Sequence, residues 1–279
     1  MNEFLEISTA LADGAEQVRG ISDSPRLDSE LLLARALDVP RSYLFAHPDE
    51  ILDPAVIERF CLSLERRSDG LPIAYIRGEK EFWSMTLIVT PDTLVPRPET
   101  ELLVDQTLQR ISKDGKLAIL DLGTGCGAIA LAIAKERPHC DIIATDVSDA
   151  ALAVARENAN RLALVNIEFL CGDWTAPVAG RTFDIIASNP PYVPVADPDL
   201  EHLMHEPQIA LLSGEDGLDA IRRISVEAKS VLRIGGTLLI EHGDKQAGAI
   251  ARILSADGWS EINHVIDLAG KPRVTIAGD

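Results

Sequence analysis

Two short segments carry residue types and spacings that could do chemistry: the tetrapeptide Asn189-Pro190-Pro191-Tyr192 and the glycine-rich run from Asp121 to Ala128. Consecutive prolines fix φ and remove two backbone N–H donors, so the carbonyls around them act as pure acceptors. Asn189 adds a side-chain carbonyl, and Tyr192 adds a ring face on which a planar group can stack. Such a set receives a planar –NH₂ group, holding its two hydrogens and leaving the nitrogen open to an electrophile on the opposite side. An amide nitrogen shares its lone pair with the carbonyl and is a poor nucleophile. Acceptors that pull on its hydrogens favour a transition state in which that lone pair localises, and alignment with the electrophile supplies the proximity term. The tetrapeptide contains no general base, and the chemistry requires no metal.

The run Asp121-Leu122-Gly123-Thr124-Gly125-Cys126-Gly127-Ala128 follows a strand pattern and opens a helical one. Its glycines let the backbone turn sharply and approach a ligand with no Cβ in the way. The spacing satisfies G-x-G-x-x-A, and Asp146 ends the next strand 19 residues beyond Gly127, placed to accept bonds from ribose hydroxyls. These features leave a dinucleotide and S-adenosylmethionine (SAM) both open. The third strand, Phe169-Leu170-Cys171-Gly172-Asp173-Trp174, tips the balance toward SAM. Asp173 can accept from an adenine amine, and Trp174 offers the ring a flat apolar surface.

The elements that must hold these residues are legible from periodicity. From about residue 99 onward, helical and strand patterns alternate: ETELLVDQTLQRI, GAIALAIAKER, SDAALAVARENANRL, GLDAIRRISVEAKSVL and KQAGAIARILSAD read as helices. KLAILDLG, CDIIATD, NIEFLCG, FDIIASN and GGTLLIEHG read as strands, with two closing strands at 259–266 and 272–277. Repeated β-α-β units predict an α/β, Rossmann-like fold with a mostly parallel seven-stranded sheet and helices on both faces. The Pro/Gly-rich segment 188–198 then lies at a strand's C-terminal end, where open α/β sheets bind ligands. Residues 76–90 alternate aromatic and β-branched types about Trp83-Ser84 and predict a β-hairpin linker. The leucines of RLDSELLLARALD and the Ser24-Pro25 and Asp53-Pro54 starts predict a small helical bundle before it. The expected organisation is a helical domain over 1–75, a hairpin linker over 76–90 and a catalytic domain over 91–279. A docking role for the helical domain is preferred to that of a stabilising appendage.

A chain of 279 residues with 46% hydrophobic and 25% charged residues has the composition of a two-domain globular protein. With 26 Lys and Arg against 44 Asp and Glu the net charge is −18, and both parts are acidic, which argues against naked DNA or RNA as substrate. The N-terminus lacks the basic start and apolar core of a signal peptide, and AIALAIA at 128–134 falls far short of the roughly 20 residues of a membrane span. Four cysteines without a C-x-x-C pair predict reduced, buried thiols in a cytoplasmic protein with no membrane contact. We expect a monomer.

With these residues assembled, the chain closely resembles the PrmC/HemK family, the protein-(glutamine N5) methyltransferases that modify peptide chain release factors. The likeness is carried by RLDSELLL (26–33), GEKEFWSMTLIV (78–89), LVPRPETELLV (94–104), DLGTGCGAIA (121–130), SNPPYV (188–193), EPQIALLSGEDGLD (206–219) and DLAGKPRV (267–274). NPPY alone is shared with methyltransferases of adenine and guanine; the PRPETE segment together with the EP…AL…GEDGL pattern is far more specific. The resemblance implies methyl transfer from SAM, giving S-adenosylhomocysteine, to the side-chain amide of the glutamine in the GGQ motif of class 1 release factors. It implies that Gly123, Thr124, Gly125, Cys126, Gly127, Asp146, Trp174 and Asn189 line the SAM site, with Asp173 added by its place beside Trp174. It further implies that Asn189, Pro190, Pro191 and Tyr192 hold the glutamine, with Asn189, Pro190 and Tyr192 nearest the chemistry. Arg97, Glu99, Thr100 and Glu101 match the segment that closes over the entrance, so Arg97 and Glu101 are expected to touch substrate. EPQIALLS departs from the family's usual pattern after the proline and is read as loop variation.

Several residues have plainer readings. His202 and His205 lack a Cys/His cluster and read as a solvated face rather than metal ligands. Glu241 and His242 read as packing or hydrogen bonding near the ligand edge. Arg66-Arg67 either complements a helix dipole or contacts a release factor. The competing functions are an NPPY-type methyltransferase acting on an exocyclic amine of a nucleic-acid base, and a SAM-binding docking protein.

Overall fold

In the computed structural model, residues 5–278 are described, apart from the side chains of 199, 201 and 202. His202, weighed above as a metal ligand, therefore lies outside the described side chains. The chain divides into two compact units, residues 1–78 and 79–279.

The first unit is all helical: α1 (Ile7–Gln17), α2 (Pro25–Leu37), α3 (Arg41–Ala46), α4 (Pro54–Ser68) and α5 (Ile73–Arg77). Proline begins α2 and α4, where its fixed φ suits the first turn and its missing N–H has no helical partner to lose. Asp53 caps α4 by accepting the Ala55 N–H at 2.8 Å. Ile7, Leu11, Leu32, Leu33, Phe60 and Leu64 are buried between the helices, each worth about 1.5–3 kcal/mol in removed apolar surface. The helices approach closely at Gly14, where a Cβ would lie 2.6 Å from Ser29 Oγ and 2.8 Å from the Phe60 ring. Arg67 is committed within this bundle. Its Nε donates to the buried Asp28 carboxylate at 2.7 Å.

The division falls after Gly78, later than the expected boundary at 75, because Ile73–Arg77 form a helix that Gly78 ends in the left-handed conformation. The hairpin of β1 (Glu79–Phe82) and β2 (Met85–Ile88) groups with the larger unit and is not a separate linker. Its turn residues Trp83 and Ser84 both have φ 51°, the two-residue geometry that usually takes Asn-Gly. Glu101 Oε1 accepts the Trp83 backbone N–H at 2.8 Å, and the indole Nε1 donates to Glu136 at 3.2 Å, so side chains hold the strained turn.

The larger unit continues with α6 (Thr100–Leu108), β3 (Ala118–Leu122), α7 (Ala128–Glu136), β4 (Asp141–Asp146), α8 (Asp149–Arg161), β5 (Ile167–Cys171) and β6 (Phe183–Ser188). It ends with α9 (Asp219–Lys229), β7 (Leu232–Glu241), α10 (Ala247–Ala256), β8 (Ser260–Ile266) and β9 (Pro272–Gly278). The seven strands run in the order β5-β4-β3-β6-β7-β9-β8, all parallel except β9. Leu120, Leu122, Phe183, Ile186, Leu238 and Ile240 come from adjoining strands and bury against α9 and α10 through Ile221, Ile224, Ile250 and Leu254. The chain leaves β3 toward β4 and β5, then crosses back to β6 on the other side of β3. That makes the gap between the C-terminal ends of β3 and β6 the topological switch point, the crevice where such sheets bind ligands. Leu122 pairs in register with Ser188, whose Oγ donates to the Leu122 carbonyl at 2.8 Å. Among the described residues no helix is long and apolar enough to cross a membrane. All four cysteines are free; Cys126 and Cys140 are buried, but Cys61 and Cys171 are exposed, contrary to the expectation of four buried thiols.

Candidate active site

The sheet brings the glycine run, which follows β3, beside the tetrapeptide, which follows β6, although 66 residues separate Leu122 from Ser188. Gly123 and Thr124 donate backbone N–H groups to the Thr145 carbonyl at 2.9 and 3.0 Å, and Gly125 N–H donates to Asp146 Oδ2 at 2.8 Å. The loop is therefore stitched to the end of β4. Gly125 has φ +56° and nothing within 4 Å of where a Cβ would stand, at the wall of a cavity of about 560 Å³. Asn158 braces the loop from behind, its Nδ2 donating to the Cys126 carbonyl at 2.9 Å.

Gly123, Gly125, Asp146, Asp173, Trp174, Asn189 and Pro191 all line this cavity. The Trp174 ring lies against Gly123, 3.5 Å from the position of a Cβ there. Thr124, Cys126 and Gly127 do not line it. Thr124 is buried and donates to Asp121 at 2.7 Å, Cys126 is 2% exposed with its thiol pushed up to about 12 by burial, and Gly127 packs on Leu131. The loop thus faces the cavity through Gly123 and Gly125. Asp146 keeps both oxygens partly engaged, by Gly125 and by the Ser148 N–H at 2.9 Å. Asp173 reaches the cavity rim but is gripped by Arg223 through contacts of 2.8 and 3.2 Å, a partner that nothing in the local sequence signalled.

A second cavity of about 290 Å³ is lined by Arg97, Asn189, Pro190 and Tyr192 with apolar neighbours. Asn189 lines both cavities; Pro190 and Tyr192 face the smaller one, and Pro191 the larger. Asn189 Nδ2 lies 3.2 Å from Thr100 Oγ1, while its Oδ1 is buried with no partner among the described residues. Gln246 Nε2 donates to the Tyr192 carbonyl at 3.0 Å and fixes the end of the tetrapeptide. Burial, with Glu241 adding to it, holds the Tyr192 phenol above its ordinary range and keeps it protonated. Arg97 pairs with Glu206, which also accepts the Val95 N–H at 3.1 Å and is 5% exposed. This buried acid, from the EPQIALLS segment, fastens the segment ahead of α6 over the smaller cavity. Glu101 lines neither cavity, and its carboxylate accepts the Trp83 N–H of the hairpin turn. Among the described residues no group of three or more His, Cys, Asp or Glu is arranged to hold a metal.

Two carboxyls behind the site are fully buried. Burial pushes Asp121 up to about 7 from 3.8, with Oδ2 accepting from Thr124 and from the Ala130 N–H and Oδ1 unpartnered. Folding therefore takes up a proton between those values, and the group's effect on stability is lost as pH rises from about 4 toward 7. Asp121→Asn retains the oxygen that accepts both bonds and removes the charge. It should recover on the order of 1–3 kcal/mol at alkaline pH and narrow the gap in Tm between about pH 5.5 and about pH 8. Thermal melts at the two pH values check this; an unchanged gap means Asp121 is ionised in the folded protein.

The sequence matches the family described as "Methyltransferase domain" over residues 113–267 and "PrmC N-terminal domain" over residues 9–78. It is 49% identical to a release factor glutamine methyltransferase of Coxiella burnetii, over 98% of this chain and 99% of that one. It is 46% identical to one of Vibrio cholerae, over 97% and 96% of the two chains. Its fold is similar to a crystal structure of a methyltransferase from Pyrococcus furiosus, with a TM-score of 0.54, 22% identity, and coverage of 70% of this chain and 90% of that one.

Proposed function

The chain belongs to the release factor glutamine methyltransferase family, and on that premise we propose that it methylates the side-chain amide nitrogen of the GGQ glutamine in class 1 peptide chain release factors. The observation that carries this reading is Asn189 in the wall common to the two cavities, with a buried carbonyl oxygen that has no partner among the described residues. The larger cavity fits the cofactor: its volume is within the range of ligand sites, and it offers a glycine cradle, an acid at the end of β4 and an indole face. SAM supplies an electrophilic sulfonium methyl whose charge is neutralised on transfer.

The chain's own residues do the rest. Asn189 Oδ1 accepts one hydrogen of the glutamine –NH₂, and the Pro190 carbonyl is the adjacent acceptor, since Pro191 has no N–H to compete for it. Tyr192 stacks on the planar amide, and Arg97, held by Glu206, closes the far side. Pulling on both hydrogens localises the nitrogen lone pair toward the larger cavity, so the bonds strengthen as the transition state forms. No carboxylate or imidazole lines the smaller cavity among the described residues. We assign docking of the release factor to the helical unit, and expect the protein to act as a monomer in the cytoplasm.

The test is methylation by the full chain of an intact release factor, of a short GGQ peptide and of RNA. We expect label on the glutamine of the first two and none on RNA, whose phosphates meet a chain of net charge −18. A chain starting at Glu79 should still bind SAM but lose kcat/KM on the intact factor by about tenfold or more relative to the peptide. Equal losses on both substrates would make the helical unit mere support, and label on RNA alone would overturn the substrate.

A further inference from the structure

The tetrapeptide lies between two anchored stretches. Ahead of it β6 pairs with β3 as far as Ser188, and behind it Val193 donates to the Leu211 carbonyl at 2.8 Å and accepts the Ser213 N–H at 3.0 Å. Pro190 and Pro191 have no N–H, so the residues between must be held through carbonyls and side chains. Gln246, the residue ahead of α10, supplies such a hold. Its Nε2 donates to the Tyr192 carbonyl at 3.0 Å and to the Gly217 carbonyl at 3.4 Å, and its Oε1 accepts the Gly243 N–H at 2.9 Å. One carboxamide thereby joins three loops: the one after β6, the one ahead of α9 and the one after β7. The three bonds admit a single orientation, because a flipped amide would set its oxygen against two carbonyls and its –NH₂ against an N–H. The approach is close: at Gly217, with φ +76°, a Cβ would stand 2.3 Å from the Tyr192 oxygen and 2.8 Å from Gln246 Nε2. The mount is firm as well, since α10 buries Ile250 and Leu254 in the core.

We propose that Gln246 is a positioning residue for methyl transfer: it clamps the Tyr192 carbonyl and so sets the Tyr192 ring in the wall of the smaller cavity against the substrate amide. This inference rests on the reading of the tetrapeptide as the seat of that amide. Gln246 lines neither cavity, whereas Tyr192 lines the smaller one, so Gln246 acts through Tyr192 and touches neither cofactor nor substrate. Holding a residue's carbonyl holds its peptide plane, and the ring leaves the chain one bond away, so freedom at the carbonyl becomes freedom of the stacking face. A misplacement of about 1 Å in a group that positions substrate can cost on the order of 10²-fold in rate. The two ends of the tetrapeptide are then held separately. Asn189 Nδ2, 3.2 Å from Thr100 Oγ1, fixes the first residue, and Gln246 fixes the last.

The test is single-turnover methylation of a GGQ peptide by the full chain at saturating SAM and peptide, with SAM Kd and Tm measured in parallel. Gln246→Met keeps the length of the side chain and removes its donor and its acceptor; we expect a rate loss of roughly 10- to 30-fold with SAM Kd within about threefold of wild type. Gln246→Glu still accepts from Gly243 but turns a carboxylate oxygen toward the Tyr192 carbonyl, and should be at least as slow. Tyr192→Ala should be slow on its own, and in that background Gln246→Met should cost no more than about twofold further, because the ring it positions is gone. A role confined to holding the loops together would lower the rate by the same factor in both backgrounds. A Gln246→Met rate within about twofold of wild type, a loss that falls on SAM Kd in place of the rate, or the full loss repeated on the Tyr192→Ala background overturns the proposal. Should Gln246→Met fail to fold, Gln246→Glu takes its place in both backgrounds under the same limits. If Tyr192→Ala runs at the wild-type rate, the stacking reading of the tetrapeptide has failed and the clamp with it; if Tyr192→Ala is slow and Gln246→Met is not, the clamp alone has.

Discussion

Asn189→Ala should slow the methyl-transfer step by roughly 10²–10³-fold, the usual loss on removing one preorganised hydrogen-bonding group at a reacting centre. The structure gives the reason in one atom: Oδ1 is buried without a partner among the described residues at the junction of the two cavities, while Nδ2 is committed to Thr100. An acceptor held ready in a low-dielectric wall needs no reorganisation when the amide arrives, and its bond strengthens as the nitrogen lone pair localises. The loss therefore falls on the rate at saturation, with only a modest rise in SAM Kd. Asn189→Asp keeps the acceptor and the shape but has no N–H for Thr100, and it adds a charge in the wall between the two cavities. We expect it to bind SAM at least as well as wild type and to remain slow. Single-turnover methylation of a release factor at saturating SAM is the measurement. If Asn189→Ala runs within about threefold of wild type, the tetrapeptide does not grip the amide, since that factor is only ~0.7 kcal/mol at the barrier.

Asp146→Ala should weaken SAM binding by roughly 10- to 100-fold, in line with about 1.5–3 kcal/mol for hydrogen bonds to an ionised group. Two effects combine here. On the reading proposed above the carboxylate accepts from ribose hydroxyls in the bound state, and in the protein it already ties Gly125 N–H at 2.8 Å and Ser148 N–H at 2.9 Å. Removing it loosens the glycine cradle as well as the ribose contact, so the loss should exceed that of a simple rim acceptor. Asp173→Ala offers the contrast. Its carboxylate is shared with Arg223 at the exposed rim, and the expected loss is smaller, about threefold to tenfold. Calorimetry decides: a Kd for Asp146→Ala within twofold of wild type would remove Asp146 from the site, and binding of NAD in place of SAM would reassign the cavity.

The features legible in the sequence are those written in consecutive residues. Gly123, Gly125 and Gly127 announce a tight strand-to-helix loop because their positive φ values exclude ordinary side chains. Pro190-Pro191 announces a donor-free acceptor strip, and alternating periodicities announce seven strands, of which β9 alone runs against the rest. Element boundaries were less legible: Ile73–Arg77 form a helix whose five residues are too few to display a period.

What only the tertiary structure decided are relations between residues far apart in the chain. The crossover from β5 to β6 sets the glycine loop beside the tetrapeptide, and α6 brings Thr100 to Asn189. Arg223 takes hold of Asp173, and the Trp83 N–H engages Glu101, the two acids that the sequence reading gave to adenine and to substrate. The physical reason is that backbone freedom and hydrophobic period are properties of a residue and its immediate neighbours. The partner of a side chain, its burial and hence its charge depend on which strands the sheet sets side by side.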